Sequence, residues 1–122
     1  MADHGWERLL VHDGRIRVDL ALRSDSWVRH VQSGYRPNWR PAGVMPENPM
    51  EGPLMIDETA RLAPGEAARV TVFPLLPQHW QGVQPGDHLE MLDLRGRVLG
   101  DGRVIEVVDL PPTAQLPAHG TV

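Results

Sequence analysis

The stretch "RIRVDLALR", residues 15–23, decides the fold class. Ile16, Val18, Leu20 and Leu22 alternate with Arg15, Arg17, Asp19, Ala21 and Arg23. An extended chain points successive side chains to opposite faces, so a period of two reads as a strand with one buried face. Working outward, "EGPLMIDE" offers a short strand around Leu54 to Glu58. "ARVTVFPLL" offers another; Pro74 near its end suggests an edge or a bulge, because proline cannot donate to a ladder. "HLEMLDL" and "RVLGDGRVIEVVDL" complete the set, the latter interrupted by Gly100 and Gly102, which mark a bulge or bend.

Turn chemistry punctuates these runs at Asp13-Gly14, Pro64-Gly65, Pro85-Gly86 and "RGR". Between 24 and 53, Pro37, Pro41, Pro46, Pro49 and Pro53 predict mostly loop with short extended pieces. The best helical candidate, Trp6 to His12, is too short to stand alone. The expected architecture is all-β: five or six short strands forming a small closed β-barrel or a sandwich over 15–110, after a lead-in at 1–14 and before a flexible tail at 111–122. Closure into a barrel removes exposed strand edges.

A chain of 122 residues fits one domain, which buries about two-thirds of its unfolded surface. The absence of cysteine excludes disulfides, thiolate metal sites and thiol nucleophiles. All twelve basic residues are arginine, which excludes a Schiff-base lysine and a P-loop lysine. The net charge of −4 lacks the positive excess of sequence-independent nucleic-acid binders. The stretch "MADHGWERLLVHDGRIRVDL" holds no long apolar run, so neither a signal peptide nor a membrane span is expected, and the expected location is cytoplasmic.

Three segments occur in a telling order: "SGYRPNW" (33–39), "LAPGEAARVTVFPLLP" (62–77) and "VQPGDHLEMLDLRGRVLGDGRVIEVV" (83–108). Their order and content resemble the C-terminal, third domain of elongation factor Tu, a six-stranded antiparallel β-barrel. The likeness covers roughly residues 15–109, with "SGYRP" and "GRVLGDGRV" its specific parts. No G-x-x-x-x-G-K-[ST] occurs, so the resemblance implies a free-standing copy of one barrel rather than a translation GTPase. Gly34, Tyr35, Arg36, Pro37, Gly86, Asp87, Gly96, Arg97, Gly100 and Gly102 match the family pattern. The family's transfer-RNA backbone contacts come partly from a glutamate and a glycine just before "GRTVGAG"; Leu94 and Arg95 stand there in this chain. The family's "SGYRP" loop lies where the barrel meets the GTPase domain, which implies a contact surface.

The candidate binding residues are Tyr35, Arg36, Trp39, Trp80, Arg95 and Arg97. Tyr35 can bury its ring and still offer its hydroxyl. Arg36 can fork onto a carboxylate or phosphate of a partner, or onto an internal acid. Trp39 and Trp80 sit in or beside loops, as interface anchors or as seals on a barrel end. Asp87 is expected to cap its own turn. His4, His12, His30, His79, His88 and His119 form no helix-based ligand pair, so no metal or cofactor is expected. No G-x-S-x-G occurs, and Asp57 and Glu58 are expected on opposite faces of a strand, so an enzyme is not expected. The reading is a non-catalytic binding module that docks a protein partner, or a second copy of itself, through the Tyr35–Arg36 loop and nearby tryptophans. One alternative is binding of RNA (transfer-RNA-like) backbone through Arg36, Arg95, Arg97 and Arg103. Another is a small-molecule binding or resistance protein, because barrel mouths can hold ligands.

Overall fold

A computed structural model describes residues 5–111. Nine strands follow in chain order: β1 (Arg15–Leu22), β2 (Val31–Gln32), β3 (Asn38–Pro41), β4 (Met50–Glu51), β5 (Leu54–Ile56), β6 (Arg61–Leu62), β7 (Ala67–Val72), β8 (His88–Leu92) and β9 (Val98–Val108). Trp6–Leu9 and Pro77–Trp80 are single turns of 3-10 helix.

β1 behaves as its alternation requires. Ile16, Val18, Leu20 and Leu22 are buried, while Arg15, Asp19 and Ala21 face solvent. Burial of each such side chain is worth about 1.5–3 kcal/mol, which makes this strand a major contributor to stability. β1 pairs antiparallel with β7 on one side and β9 on the other. Its outward residues carry ion pairs, Asp19 across to Arg69 on β7 and Arg17 to Asp57 just past β5, and Arg23, one residue beyond β1, pairs with Asp101 on β9.

The main sheet has seven strands in the order β4-β3-β8-β9-β1-β7-β5, all antiparallel, and curls into a half-barrel. A separate two-stranded ladder joins β2 to β6. This differs from the six strands in one closed cylinder expected from the sequence. The extra strand arises because Pro53 has no N–H to donate, so the segment 50–56 divides into β4 and β5. The two margins of the sheet are therefore neighbours in sequence, joined by Gly52–Pro53 alone.

Backbone bonds run from that segment in both directions. Gly52 N–H donates to the Pro37 carbonyl at 3.1 Å and Leu54 N–H to Tyr35 at 2.9 Å. From the other side, Phe73 N–H donates to Pro53 at 2.9 Å and Leu75 N–H to Glu51 at 3.1 Å. β7 is thus an interior strand, not an edge; Pro74 lies beyond its last residue and removes no ladder bond.

Trp39 and Trp80 are both fully buried. Gly102 makes room for Val18 beside the Trp39 ring: a methyl group there would lie 2.6 Å from Val18 Cγ1. At Gly100 it would lie 2.8 Å from the Ala21 carbonyl oxygen. The ladder irregularity falls beside Gly100, where Met91 pairs with Gly100 and Leu92 with Val98, leaving Leu99 out of register. The lead-in also packs: Trp6 is 4% exposed, donates its indole N–H to the Gly34 carbonyl at 3.1 Å, and lies 5.1 Å from the Phe73 ring. The tail expected at 111–122 lies, beyond Pro111, outside the described residues, as do His4 and His119.

Candidate functional site

β8 ends at Leu92 and β9 begins at Val98, so the chain reverses over residues 93–97. Gly96 takes φ 81°, a left-handed conformation that glycine adopts without strain. Asp93 organises the reversal from within. Its N–H donates to the Arg97 carbonyl at 2.9 Å, and Gly96 N–H donates back to the Asp93 carbonyl at 3.0 Å. Its carboxylate accepts the backbone N–H groups of Arg95 and Arg97, each at 2.8 Å, and the Arg97 Nε–H at 2.7 Å. The fourth donor is the indole N–H of Trp27 at 2.9 Å, from a loop 66 positions earlier.

Those donors set the charge state of Asp93, which is only 5% exposed. Burial pushes its pKa upward, but the Arg97 backbone N–H, the Trp27 indole, the Arg97 guanidinium and the Arg95 N–H outweigh burial and hold it at about 2. The carboxylate is therefore ionised and has its lone pairs occupied internally. Tyr35, half-buried beside it, is shifted the other way: burial and the Asp93 charge both raise its pKa, so it stays a neutral phenol.

Around this turn opens a groove of 440 Å³ lined by Trp27, Tyr35, Asp93, Leu94, Arg95 and Arg97. Leu94 is 95% exposed and Trp27 61% exposed. The Arg97 guanidinium stacks over the Trp27 ring, 4.9 Å from its centroid, and so is committed to the protein. The Arg95 guanidinium has no partner among the described residues. A second groove of 450 Å³ runs along residues 28 and 30–35 and shares Tyr35.

Three of the six candidates from sequence, Tyr35, Arg95 and Arg97, thus converge on one groove. Arg36 does not join them; it points to the outer surface and pairs with the Glu51 carboxylate. Trp39 and Trp80 need correction: with 0% exposure they are core residues and offer no contact surface. Trp39 is carried inward by the alternation of β3, and Trp80 by the 3-10 turn that lays it over Gly52. Arg103 sits on the outer wall of β9 opposite Asp19 and His88, away from the groove.

Sequence reasoning missed Trp27 and gave Leu94 no role. Their signal was available: both are large apolar residues in polar, turn-rich segments, where nothing local would bury them. Asp57 follows β5 rather than lying in a strand, and bonds Arg17. Asp87 caps its turn as expected, accepting the Gln84 N–H at 3.0 Å. Among the described residues no group of three or more His, Asp or Glu converges as a metal site requires. No described helix is long and apolar enough to cross a membrane.

No family model matches the chain, and a search of the curated proteins finds no match.

Proposed function

We propose that this chain is a non-catalytic binding module, a free-standing relative of the third barrel of elongation factor Tu, and that it docks a protein partner on the Trp27–Leu94 groove. The family part of the reading rests on "SGYRP" and "GRVLGDGRV" in sequence. The all-antiparallel main sheet, curled into a half-barrel, is the part of the fold that supports this likeness.

The observation that carries the function is Leu94. A side chain 95% exposed gains nothing for the fold, yet the turn that presents it is fixed by four hydrogen bonds to Asp93. Preorganised, apolar and next to an exposed tryptophan, it has the character of an interface anchor. The test is a photo-crosslinking residue placed at position 94, with position 45 as the control. Met45 is 79% exposed on the loop at the opposite end of β3. Discrete adducts from native extract at 94 and none at 45 are expected. Equal yields at both positions, or no adduct at 94, overturn the reading.

RNA-backbone binding is a second reading, favoured by one observation: an exposed indole beside two arginines is the composition of a base-stacking platform. The net charge of −4 and the internal commitment of Arg97 weigh against it.

A further inference from the structure

We infer that the groove recognises an acidic peptide segment carrying a large apolar side chain, with Trp27 and Leu94 taking the apolar group and the Arg95 guanidinium taking the carboxylate. The inference rests on the binding-module reading and adds the chemistry of the partner.

Charge in the groove argues for it. One carboxylate, Asp93, stands against two guanidiniums, Arg95 and Arg97. Asp93 is occupied by donors from its own turn and from Trp27, so it presents no open lone-pair face to repel an incoming acid. Arg97 already pairs with Asp93 through Nε and lies over the indole. That leaves Arg95, on the tip of the same turn, as the one cation lining this groove without a partner among the described residues. A guanidinium fixed at its backbone by a 2.8 Å bond to Asp93 and free at its head suits a carboxylate better than a passing counter-ion. Tyr35 lines the same groove, and its hydroxyl has no hydrogen bond among the described residues, so it can serve as a second neutral donor.

The apolar part argues against a polyanion. A nucleic-acid groove tracks a row of phosphates with a row of cations. Here the single unpaired guanidinium sits beside Leu94 and Trp27, a pattern that fits one acid next to one large apolar side chain. Other exposed apolar residues, Val44 and Met45, do not line this groove.

The test uses a display library of random peptides selected against the full chain and against Arg95→Glu. Expected winners on the natural chain place Asp or Glu within a few positions of Leu, Phe or Trp, and this acid enrichment disappears on Arg95→Glu. A synthetic peptide of the winning sequence should bind about tenfold more tightly than its Glu→Gln twin, the effect of one charge-assisted hydrogen bond. It should shift the Trp27 indole resonance, and Leu94→Ser should weaken both twins alike. Neutral or basic winners, acid enrichment that survives Arg95→Glu, or no groove-dependent winner each overturn the inference. So does a single-stranded oligouridylate that moves the Trp27 resonance at lower concentration than the winning peptide. Crosslinking at position 94 without acid enrichment would leave the binding module standing and remove only its acidic partner.

Discussion

The indole N–H of Trp39 donates to the carbonyl of Gly52 at 2.8 Å, within the buried interior. The same glycine lies against Trp80, and a methyl group at Gly52 would sit 2.8 Å from the Trp80 ring and 2.6 Å from Val72 Cγ1. Two fully buried tryptophans therefore meet at the one link between β4 and β5. Gly52→Ala should lower stability by about 1–3 kcal/mol, the usual cost of overpacking a core that cannot give way. A shift of the urea midpoint with unchanged slope checks it. A wild-type midpoint would mean that Trp80 or Val72 moves aside without cost.

Asp93 gives a pH prediction. Its folded pKa of about 2 lies below the unfolded value of about 3.9. A depressed carboxylate pKa stabilises the fold above the unfolded pKa, and the contribution fades as pH falls through the folded one. Asp93→Asn should therefore be less stable than the natural chain at neutral pH. The gap should narrow as pH drops from about 4 towards about 2. Denaturant titrations of both proteins across that window check it; a constant gap would assign the loss to geometry alone.

Arg36 and Leu94 separate a surface ion pair from a binding anchor. The Arg36–Glu51 pair has side chains 43% and 38% exposed. Arg36→Ala should change stability by less than about 1 kcal/mol, as exposed pairs do, and should leave groove binding intact. Leu94→Ser should also stay within about 0.5 kcal/mol in stability, yet abolish the adduct of a photo-crosslinking residue placed at the exposed position 29, two residues from Trp27. Parallel melting curves and crosslinking yields decide between the two residues.

Tryptophan emission supplies a further check. Trp6, Trp39 and Trp80 are 4% exposed or less, while Trp27 is 61% exposed. Acrylamide should quench the Trp27 fraction first, and Trp27→Phe should remove most of the readily quenched signal. Partner binding on the groove should protect that fraction.

The alternation in "RIRVDLALR" was legible because one buried face repeats every second residue, and no distant partner is needed to recognise it. The turn at 93–97 was legible as a turn from "RGR", because its glycine requirement is local. The division of segment 50–56 is not legible from Pro53 alone. A proline shows that one ladder bond is missing but not which strands converge on it. The place of Trp39 was equally hidden, since Gly102, beside which its ring lies, is on a strand more than sixty positions away. The groove escaped for the same reason: Trp27 and Asp93 meet only after the sheet has curled.

The Gly52–Pro53 link has a consequence for association between molecules. Each margin of a β-sheet is a template onto which a foreign strand can grow. Here a single short stretch shields both templates, so a fluctuation that lifts it bares two growth faces at once, and a neighbouring copy could lend its own stretch in exchange. Resistance to strand-swapped dimers and to fibre formation is thereby concentrated in the grip of Trp39 and Trp80 on that stretch, and loosening either ring should raise self-association before it raises unfolding.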